Sequence, residues 1–480
     1  MWFGMKSINR IISLVAVLAV LTACGPMSPD EKGNNNASNT ETGGSGNGSS
    51  ANNGKDDSGT GGDSGNTEGP GSSGDSGSTG DTGASGGNSG DNQEVNPDDK
   101  FTIAKEFAGG DGSEKNPYQI KTAAQLRKLS NDCAKGIHYR EVHFRLENDI
   151  RFNKNVLDEN GELNGIVLKF EQWVPIGKDY STPFGGYFDG NGHTIYGIVC
   201  TTCKNKYIGL FGYVTAKVSN VTIKDSYFSG DTTIGAVVSY ASRVSGEVSN
   251  CVNYATVKSS APCAGVIGSG GRLIDSCANY GTVYSNNRAA GIAAYFDVGS
   301  IIINSSNFGA IECKGNWCGG IIASCPDAQI IICANNVNFG TVSCQASQKL
   351  AVGGIVGFCR RSNVFENIVN FGMINKNGGG VGALLGEFYK SSQYGSSVAG
   401  AMLCHGYYLI NSSYCAVGAE VGNTLPKTDV VSMTVEEMKS KDFLDKLNEN
   451  VEELRMKYED YSFSNWKFGK DGFPVLDWMN

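Results

Sequence analysis

From about residue 205 to 390 one pattern recurs, and a repeat of this period constrains the fold more than any single motif. Each copy carries a tetrad of small, apolar, apolar and small residues. The tetrads are Gly209-Leu210-Phe211-Gly212, Gly235-Ala236-Val237-Val238, Gly265-Val266-Ile267-Gly268, Gly291-Ile292-Ala293-Ala294, Gly320-Ile321-Ile322-Ala323, Gly354-Ile355-Val356-Gly357 and Ala383-Leu384-Leu385-Gly386, at spacings of 26, 30, 26, 29, 34 and 29 residues. A second marker keeps phase with the first: Asn253-Tyr254, Asn279-Tyr280, Asn307-Phe308, Asn338-Phe339 and Asn370-Phe371, each followed by a small residue, any residue and Val or Ile. The apolar runs between are short, β-branched and broken by Gly, Asn or Ser, which predicts several short strands and tight turns per unit. One unit cannot bury its own apolar face. Stacking each strand in parallel on its equivalent in the next unit gives an all-β parallel β-helix, at about 4.8 Å per coil. Glycine suits the turns and narrow inward positions, and Asn bonds the backbone at turns and ladders with its neighbours.

Both ends carry cap signals, as a solenoid requires. Thr122-Ala123-Ala124-Gln125 is a capping box opening a helix to about Lys135, and His143-Phe144-Arg145-Leu146 begins the first strand. Thr434-Val435-Glu436-Glu437 repeats the device, with a helical pattern through Phe443, Leu447, Val451 and Leu454. Trp466-Lys467-Phe468 and Phe473-Pro474-Val475-Leu476 then read as a closing strand pair. The expected segments are 101–204, an N-terminal cap and first coils; 205–420, the repeat β-helix; and 421–480, a C-terminal cap of helix and strand.

The tetrad Gly209-Leu210-Phe211-Gly212 resembles the motif of the GLUG repeat family, found in bacterial surface proteins and in the N-terminal part of some immunoglobulin-A-specific metallopeptidases. Gly109-Gly110-Asp111-Gly112, Trp173-Val174-Pro175-Ile176-Gly177 and Phe184-Gly185-Gly186-Tyr187-Phe188-Asp189-Gly190-Asn191-Gly192 look similar too, so the likeness covers about 105–420. It implies a right-handed β-helix and a surface setting, and it brings no catalytic residues. Several tetrads end in Val or Ala where the family prefers Gly.

The N-terminal hundred residues are of another kind. Lys6 and Arg10 precede the apolar run Ile11 to Leu21, a charged n-region and an h-region too short to span a bilayer. Leu21-Thr22-Ala23-Cys24 resembles the lipobox of bacterial lipoproteins. The resemblance implies a signal peptide over 1–23, acylation of Cys24 and anchoring by two or three chains. Gly25 after the cysteine favours outer-membrane sorting over retention. Residues 31–100 hold 19 glycines, no aromatic, and only Ala37, Ala51, Ala84 and Val95 as apolar side chains. They cannot bury a core, so 24–100 is predicted to be a disordered, lipid-anchored tether reaching roughly 45–50 Å. Its 12 acids against 3 lysines give −9, the formal charge of the whole chain. The region from 101 on is near neutral without a basic block, which argues against nucleic acid as a partner.

The chemical inventory is thin. No two of His138, His143, His193 and His405 stand at i and i+4, so the zincin motif is missing, and His193 reads as a turn residue. Cys200 and Cys203 form a lone C-x-x-C pair, where a zinc site wants a second. The remaining cysteines fall one or two per coil, which suits small buried thiols, with disulfides as the alternative. Of the acids between 231 and 390, Asp275 and Glu366 share a column three coils apart, on the order of 14 Å, beyond the reach of paired glycosidase carboxylates.

The pointed feature is the stripe Tyr254, Tyr280, Phe308, Phe339 and Phe371. Facing outward it would be a platform for sugar rings or a partner; facing inward, a core ladder. The pleat sends Asn and aromatic to opposite faces, and neutral Asn suits solvent, so the expectation is aromatics in and asparagines out. The whole reads as an outer-membrane lipoprotein exposed at the cell surface, without cofactor or metal. Its function is expected to be that of a non-catalytic binding or adhesion module for a glycan or a host or partner protein. The alternative is a polysaccharide lyase or glycoside hydrolase on a parallel β-helix.

Overall fold

The structure, a computed structural model, describes residues 101–480 apart from 202–205, 297–298, 326–330, 346–350, 361–362, 376–379, 390–400, 414, 423 and 480. Cys24, the 24–100 segment and Cys203 lie outside the described residues. The described chain winds through about nine turns of a parallel β-solenoid, as the repeats predict. A broad face, an 18-stranded sheet, takes two strands from each middle coil, such as Lys217–Ser219 with Thr222–Lys224 and Glu247–Ser249 with Val252–Asn253. A second face of seven strands runs from Val199–Cys200 to Ile374–Asn375. A third, also of seven, runs from Tyr207–Ile208 to Val381–Gly382, and a fourth, of eight, from Phe211–Val214 to Val417–Val421.

The two broad-face strands of a coil meet at a corner residue held at positive φ: Asn220, Asn250, Ser276, Asn304, Asn335 and Asn367 lie between 48° and 58°. Asn tolerates this region because its short amide bonds locally. Here the amides also tie coil to coil. Asn335 Nδ2 donates to Asn304 Oδ1, and Asn367 Nδ2 to Asn335 Oδ1, each at 2.8 Å.

The tetrads align through their third residues, Phe211, Val238, Ile267, Ala293, Ile322, Val356 and Leu385. In the second coil the equivalent tetrad is therefore Ala236-Val237-Val238-Ser239, one residue beyond the reading from spacing alone. Gly235 ends the third-face strand instead. A Cβ there would lie 2.1 Å from Val238 O and 2.4 Å from Gly268 N, while one on Gly268 would lie 2.7 Å from Thr233 Cγ2. Third and fourth faces thus close on each other along a seam of small residues, and Ala264, Ala290, Ala294 and Ala323 form a separate buried cluster on it. Close approach is what the small positions serve, and Ala meets it as well as Gly in these coils.

The expected orientation of the Asn–aromatic pairs is reversed. Asn253, Asn279, Asn307, Asn338 and Asn370 are fully buried, and the aromatics face out. The Nδ2 of each of the first four donates to the Oδ1 of the Asn in the next coil at 2.8 Å, ending on Asn370. In all five the Nδ2 donates to the carbonyl two residues on, at 2.9 to 3.2 Å. An amide satisfied by a ladder carries little burial penalty, so the preference of a lone Asn for water does not decide the phase.

At the N-terminal end Tyr118–Ile120 pairs in parallel with His143–Leu146, so a strand precedes helix α1 (Ala123–Ala134). The capping box on Thr122 is present. After the last parallel strand, Lys427–Met433, the chain forms α2 (Val435–Met438) and α3 (Lys441–Lys457), with Thr434 and Ser440 as separate N-caps where one continuous helix was expected. The antiparallel pair Trp466–Phe468 and Pro474–Leu476 follows. This C-terminal segment lies along the outside of the broad face. Phe443, Leu447, Val451, Phe463 and Trp466 pack there on Ile301, Ile303, Ala334 and Val337. The corner asparagines bind it: Trp466 Nε1 donates to Asn335 Oδ1 at 2.7 Å, Ser464 N to Asn304 Oδ1 at 3.0 Å and Asn450 Nδ2 to Asn367 Oδ1 at 3.1 Å.

Candidate functional site

Among the described residues, the broad face is covered over one stretch of its length and bare over another, and its outward residues change accordingly. One outward column reads Lys217, Glu247, Leu273, Ile301, Ile332 and Val364 in register. The next reads Ser219, Ser249, Asp275, Ile303 and Ala334. The apolar stretch lies under the C-terminal segment. The polar stretch, towards the N-terminus, carries an open cleft of about 660 Å³ whose lining includes His143, Arg145, Tyr187, Asp189, Lys217 and Asn220.

Strand alternation builds this cleft. His143 and Arg145 stand outward on one strand, Tyr187 and Asp189 on its parallel neighbour, in register. The His143 and Tyr187 rings stack at 4.4 Å and 15°, with Tyr187 40% exposed. An aromatic ring braced from behind and ringed by hydrogen-bonding side chains is suited to a sugar or a polar partner. Glu114, Glu141 and Asp189 are the acids that line the cleft, and Asp189 and two acids nearby are engaged in structure. Asp189 accepts from Asn191 N and Asn220 Nδ2, each at 2.8 Å; Glu147 pairs with Arg145 at 2.7 Å; and Glu247 pairs with Arg272. Tyr187 lies outside the recurring Asn–aromatic markers; the alternation of His143-Phe144-Arg145 and Tyr187-Phe188-Asp189 is the signal in the residues that finds it.

The aromatic stripe lies one strand over. Tyr254, Tyr280, Phe308, Phe339 and Phe371 stack ring on ring with centroids 4.6 to 4.8 Å apart. Lys224 sits 4.7 Å over Tyr254 at one end. At the other, Phe473 of the C-terminal segment lies 4.8 Å from Phe371, and Lys439 caps Phe473 at 4.5 Å. Because the faces contact each other, the stripe shows solvent only its edges, so no sugar can stack between its rings. Tyr254 and Tyr280 are 38% and 37% exposed, while Phe371 is buried under the segment. Burial, with the neighbouring Tyr254, pushes the Tyr280 hydroxyl up to about 12, so both phenols stay neutral hydrogen-bonding groups.

Asp275 and Glu366 do share a column three coils apart. Asp275 accepts from Asn304 Nδ2 at 2.8 Å, and Glu366 pairs with Lys457 of α3. His193 Nδ1 lies 3.2 Å from Asp149 Oδ1, and its backbone N–H closes the turn onto Gly190 O. Among the described cysteines ten besides the disulfide pair are buried, Cys415 is half-buried, and Cys313 and Cys318 form a disulfide. Cys344 Sγ lies within 4.8 Å of that pair. Burial pushes the Cys133, Cys263 and Cys333 thiols up to about 12, which keeps them protonated and unreactive.

No family model matches the sequence. Over 125 residues, 26% of this chain and 13% of the other, it is 35% identical to a protein of Evansella cellulosilytica described as a "Putative Gly-rich membrane protein". Over 162 residues, 33% of this chain, it is 28% identical to Halomucin of Haloquadratum walsbyi, of which the match spans 2%. The chain thus covers only a small fraction of the length of these relatives. The crystal structure of a "putative immunoglobulin A1 protease" from Bacteroides ovatus superposes with a TM-score of 0.50 over 79% of this chain and 99% of that one, at 18% identity. The two share the fold. No helix among the described residues is long and apolar enough to cross a membrane.

Proposed function

We propose that this chain is a lipoprotein of the bacterial outer membrane, anchored through acylated Cys24 and displayed at the cell surface. Its solenoid serves as a non-catalytic binding or adhesion module for a glycan or a host or partner protein. The lipobox-like Leu21-Thr22-Ala23-Cys24, the Gly-rich segment after it and the membrane-protein description of the Evansella relative support the setting. The likeness of the tetrads to GLUG repeats supports surface display. The observation that carries the binding reading is the cleft of the bare broad face, where Tyr187 offers a braced ring among Arg145, Asp189 and Lys217. Of the acids lining it, Asp189 is held by Asn191 and Asn220, while Glu114 and Glu141 line it as well, so the degradation assay below is what separates binding from hydrolysis or elimination. The protease description of the Bacteroides ovatus structure is not carried over, since 18% identity speaks for the fold alone.

The test is a glycan and host-protein binding screen on the full chain beside a polysaccharide-degradation assay. Retention of a ligand that Tyr187→Ala abolishes, with no substrate cleaved, is the expected result. Release of shortened or unsaturated oligosaccharides would establish the lyase or hydrolase instead.

A further inference from the structure

Cys313, Cys318 and Cys344 meet at the corner between the second and third faces. Cys313 ends the strand Ile311–Cys313, and Cys318 stands in Trp317–Gly319 of the same coil, across the turn 314–316. Cys344 ends Val342–Cys344 one coil on, in register with Cys313. All three are no more than 4% exposed, and their Sγ atoms lie within 4.8 Å of one another. Among the described residues no other three His, Cys, Asp or Glu side chains converge so closely. Spacing along the chain hides the trio, because its third member arrives only when coils stack.

The column shows what this corner takes in the preceding coils. Ser259, Ser285, Cys313 and Cys344 succeed one another in register. Each serine ties its corner: Ser259 Oγ donates to Thr232 O at 2.7 Å and accepts from Ala261 N at 3.0 Å. Ser285 Oγ donates to Ala261 O at 2.7 Å and accepts from Asn287 N at 2.9 Å. A thiol is a weak donor and a weak acceptor for such bonds, and the contacts of Cys313 and Cys344 with Gly315 O are longer, at 3.6 and 3.2 Å. Thiols at these two positions therefore tie the corner less well than hydroxyls, and with Cys318 beside them they place three soft donors at one point. A disulfide between Cys313 and Cys318 needs two sulfurs, whereas a ligand set accounts for the third.

We propose that the reduced trio is a trithiolate site for a soft metal ion, copper(I) or zinc. Thiolate selects such ions, while hard cations prefer oxygen. Metal–sulfur bonds of about 2.3 Å set tetrahedral ligands about 3.8 Å apart, so sulfurs within 4.8 Å of one another close by about 1 Å at most. The chemistry runs in two balanced steps. A phosphine reductant gives two electrons to the Cys313–Cys318 disulfide, takes the oxygen of one water as phosphine oxide, and leaves two thiols that carry the protons of that water. The ion then binds the three sulfurs and displaces their three protons. The turn over the site is thin, with Lys314 and Asn316 exposed and Gly315 half-buried, which gives an ion a short way in. Once bound, the ion clips the coil of Cys313 to that of Cys344. The inference uses no residue of the broad-face cleft.

The test titrates the reduced full chain, freed of phosphine under argon, with copper(I), zinc and calcium ions. The tightest equivalent of copper(I) or zinc should bind with release of protons and raise the urea midpoint, since the ion binds the folded site, while calcium should do neither. A preference for copper(I) marks three sulfur ligands alone, and a preference for zinc marks a water as the fourth. Cys344→Ser should weaken that affinity at least about a hundredfold, because even changes outside the ligand set cost about ten- to a hundredfold. Serine already stands at this corner as Ser259 and Ser285, so the fold accepts it, and Cys313→Ser is the deciding variant if Cys344→Ser melts early. Cys277→Ala, which removes a buried thiol beside the broad-face corner, should leave the affinity unchanged. No tight binding of either soft ion, equal binding of calcium, affinity untouched by both serine variants, or an equal loss in Cys277→Ala would overturn the proposal.

Discussion

One sheet face does two different things along its length. Where its outward residues are Leu273, Ile301, Ile303, Ile332 and Val337, the C-terminal segment covers it; where they are Lys217, Ser219, Glu247 and Ser249, it stays bare and carries the cleft. The backbone, the corner geometry and the inward column Val218, Val248, Ile274, Ile302, Cys333 and Phe365 continue through both. A solenoid separates the two tasks cleanly. The inward column makes the fold, and the outward column decides what covers it.

The sharpest way to break this comparison is to remove the anchor of the covered stretch. Trp466 is 3% exposed and its indole N–H is held by Asn335. Trp466→Ala should cost about 3–5 kcal/mol of segment docking, read as an early transition in urea that leaves the solenoid transition in place. A single unshifted transition would mean the segment does not depend on this contact.

A smaller effect is expected from the seam, which both stretches share. Gly268→Leu forces a side chain against Ser239 O and Thr233 Cγ2 and should cost about 1–3 kcal/mol by overpacking. Coupling between coils should lower hydrogen-exchange protection in the strands holding Gly235 and Ala293 as well. Gly62→Leu, in the Gly-rich N-terminal segment, should change nothing. Exchange loosened only beside position 268 would contradict stacking as the source of stability.

The smallest effect is electrostatic. Burial raises the Asp429 carboxyl, but hydrogen bonds from His405 and Tyr407 and the nearby Lys446 of α3 outweigh it and leave it below its ordinary value. A depressed folded value stabilises above the unfolded value and loses that contribution as pH falls through the folded one. Exchange in the first turns of α3 should therefore quicken as pH drops below the ordinary aspartate range, and Asp429→Asn should remove that dependence. A variant with the same acid response as the wild type would assign the effect elsewhere.

Much of this was legible in the residues. Two markers in phase predicted stacked parallel strands, and Thr122 and Thr434 predicted the helix starts. The phase of Asn and aromatic was not, because a two-residue period has two equivalent settings. What selects between them is an Asn ladder that exists only once coils are stacked, and a local preference for water cannot foresee it. The second-coil tetrad slipped by one because Gly235 imitates the first position of a tetrad while serving the seam. The covering of the broad face has its signal in the residues: in Ile301-Ile302-Ile303 the outer two isoleucines must face outward if the middle one faces in, and apolar outward positions call for a cover. Ser440, a second N-cap six residues after Thr434, likewise marked the break between α2 and α3.

The division of the broad face is tested most directly by making one kind of substitution at two positions of the same outward column. Ile303→Lys places a charge beneath the C-terminal segment, while Ser249→Lys places it on the bare stretch, two coils away. Hydrogen exchange on the two full-length variants should show protection lost across 441–476 for Ile303→Lys, with the coils of 207–270 unchanged, and a wild-type pattern for Ser249→Lys. Equal patterns in the two variants, or a segment still protected in the Ile303→Lys variant, would contradict the account.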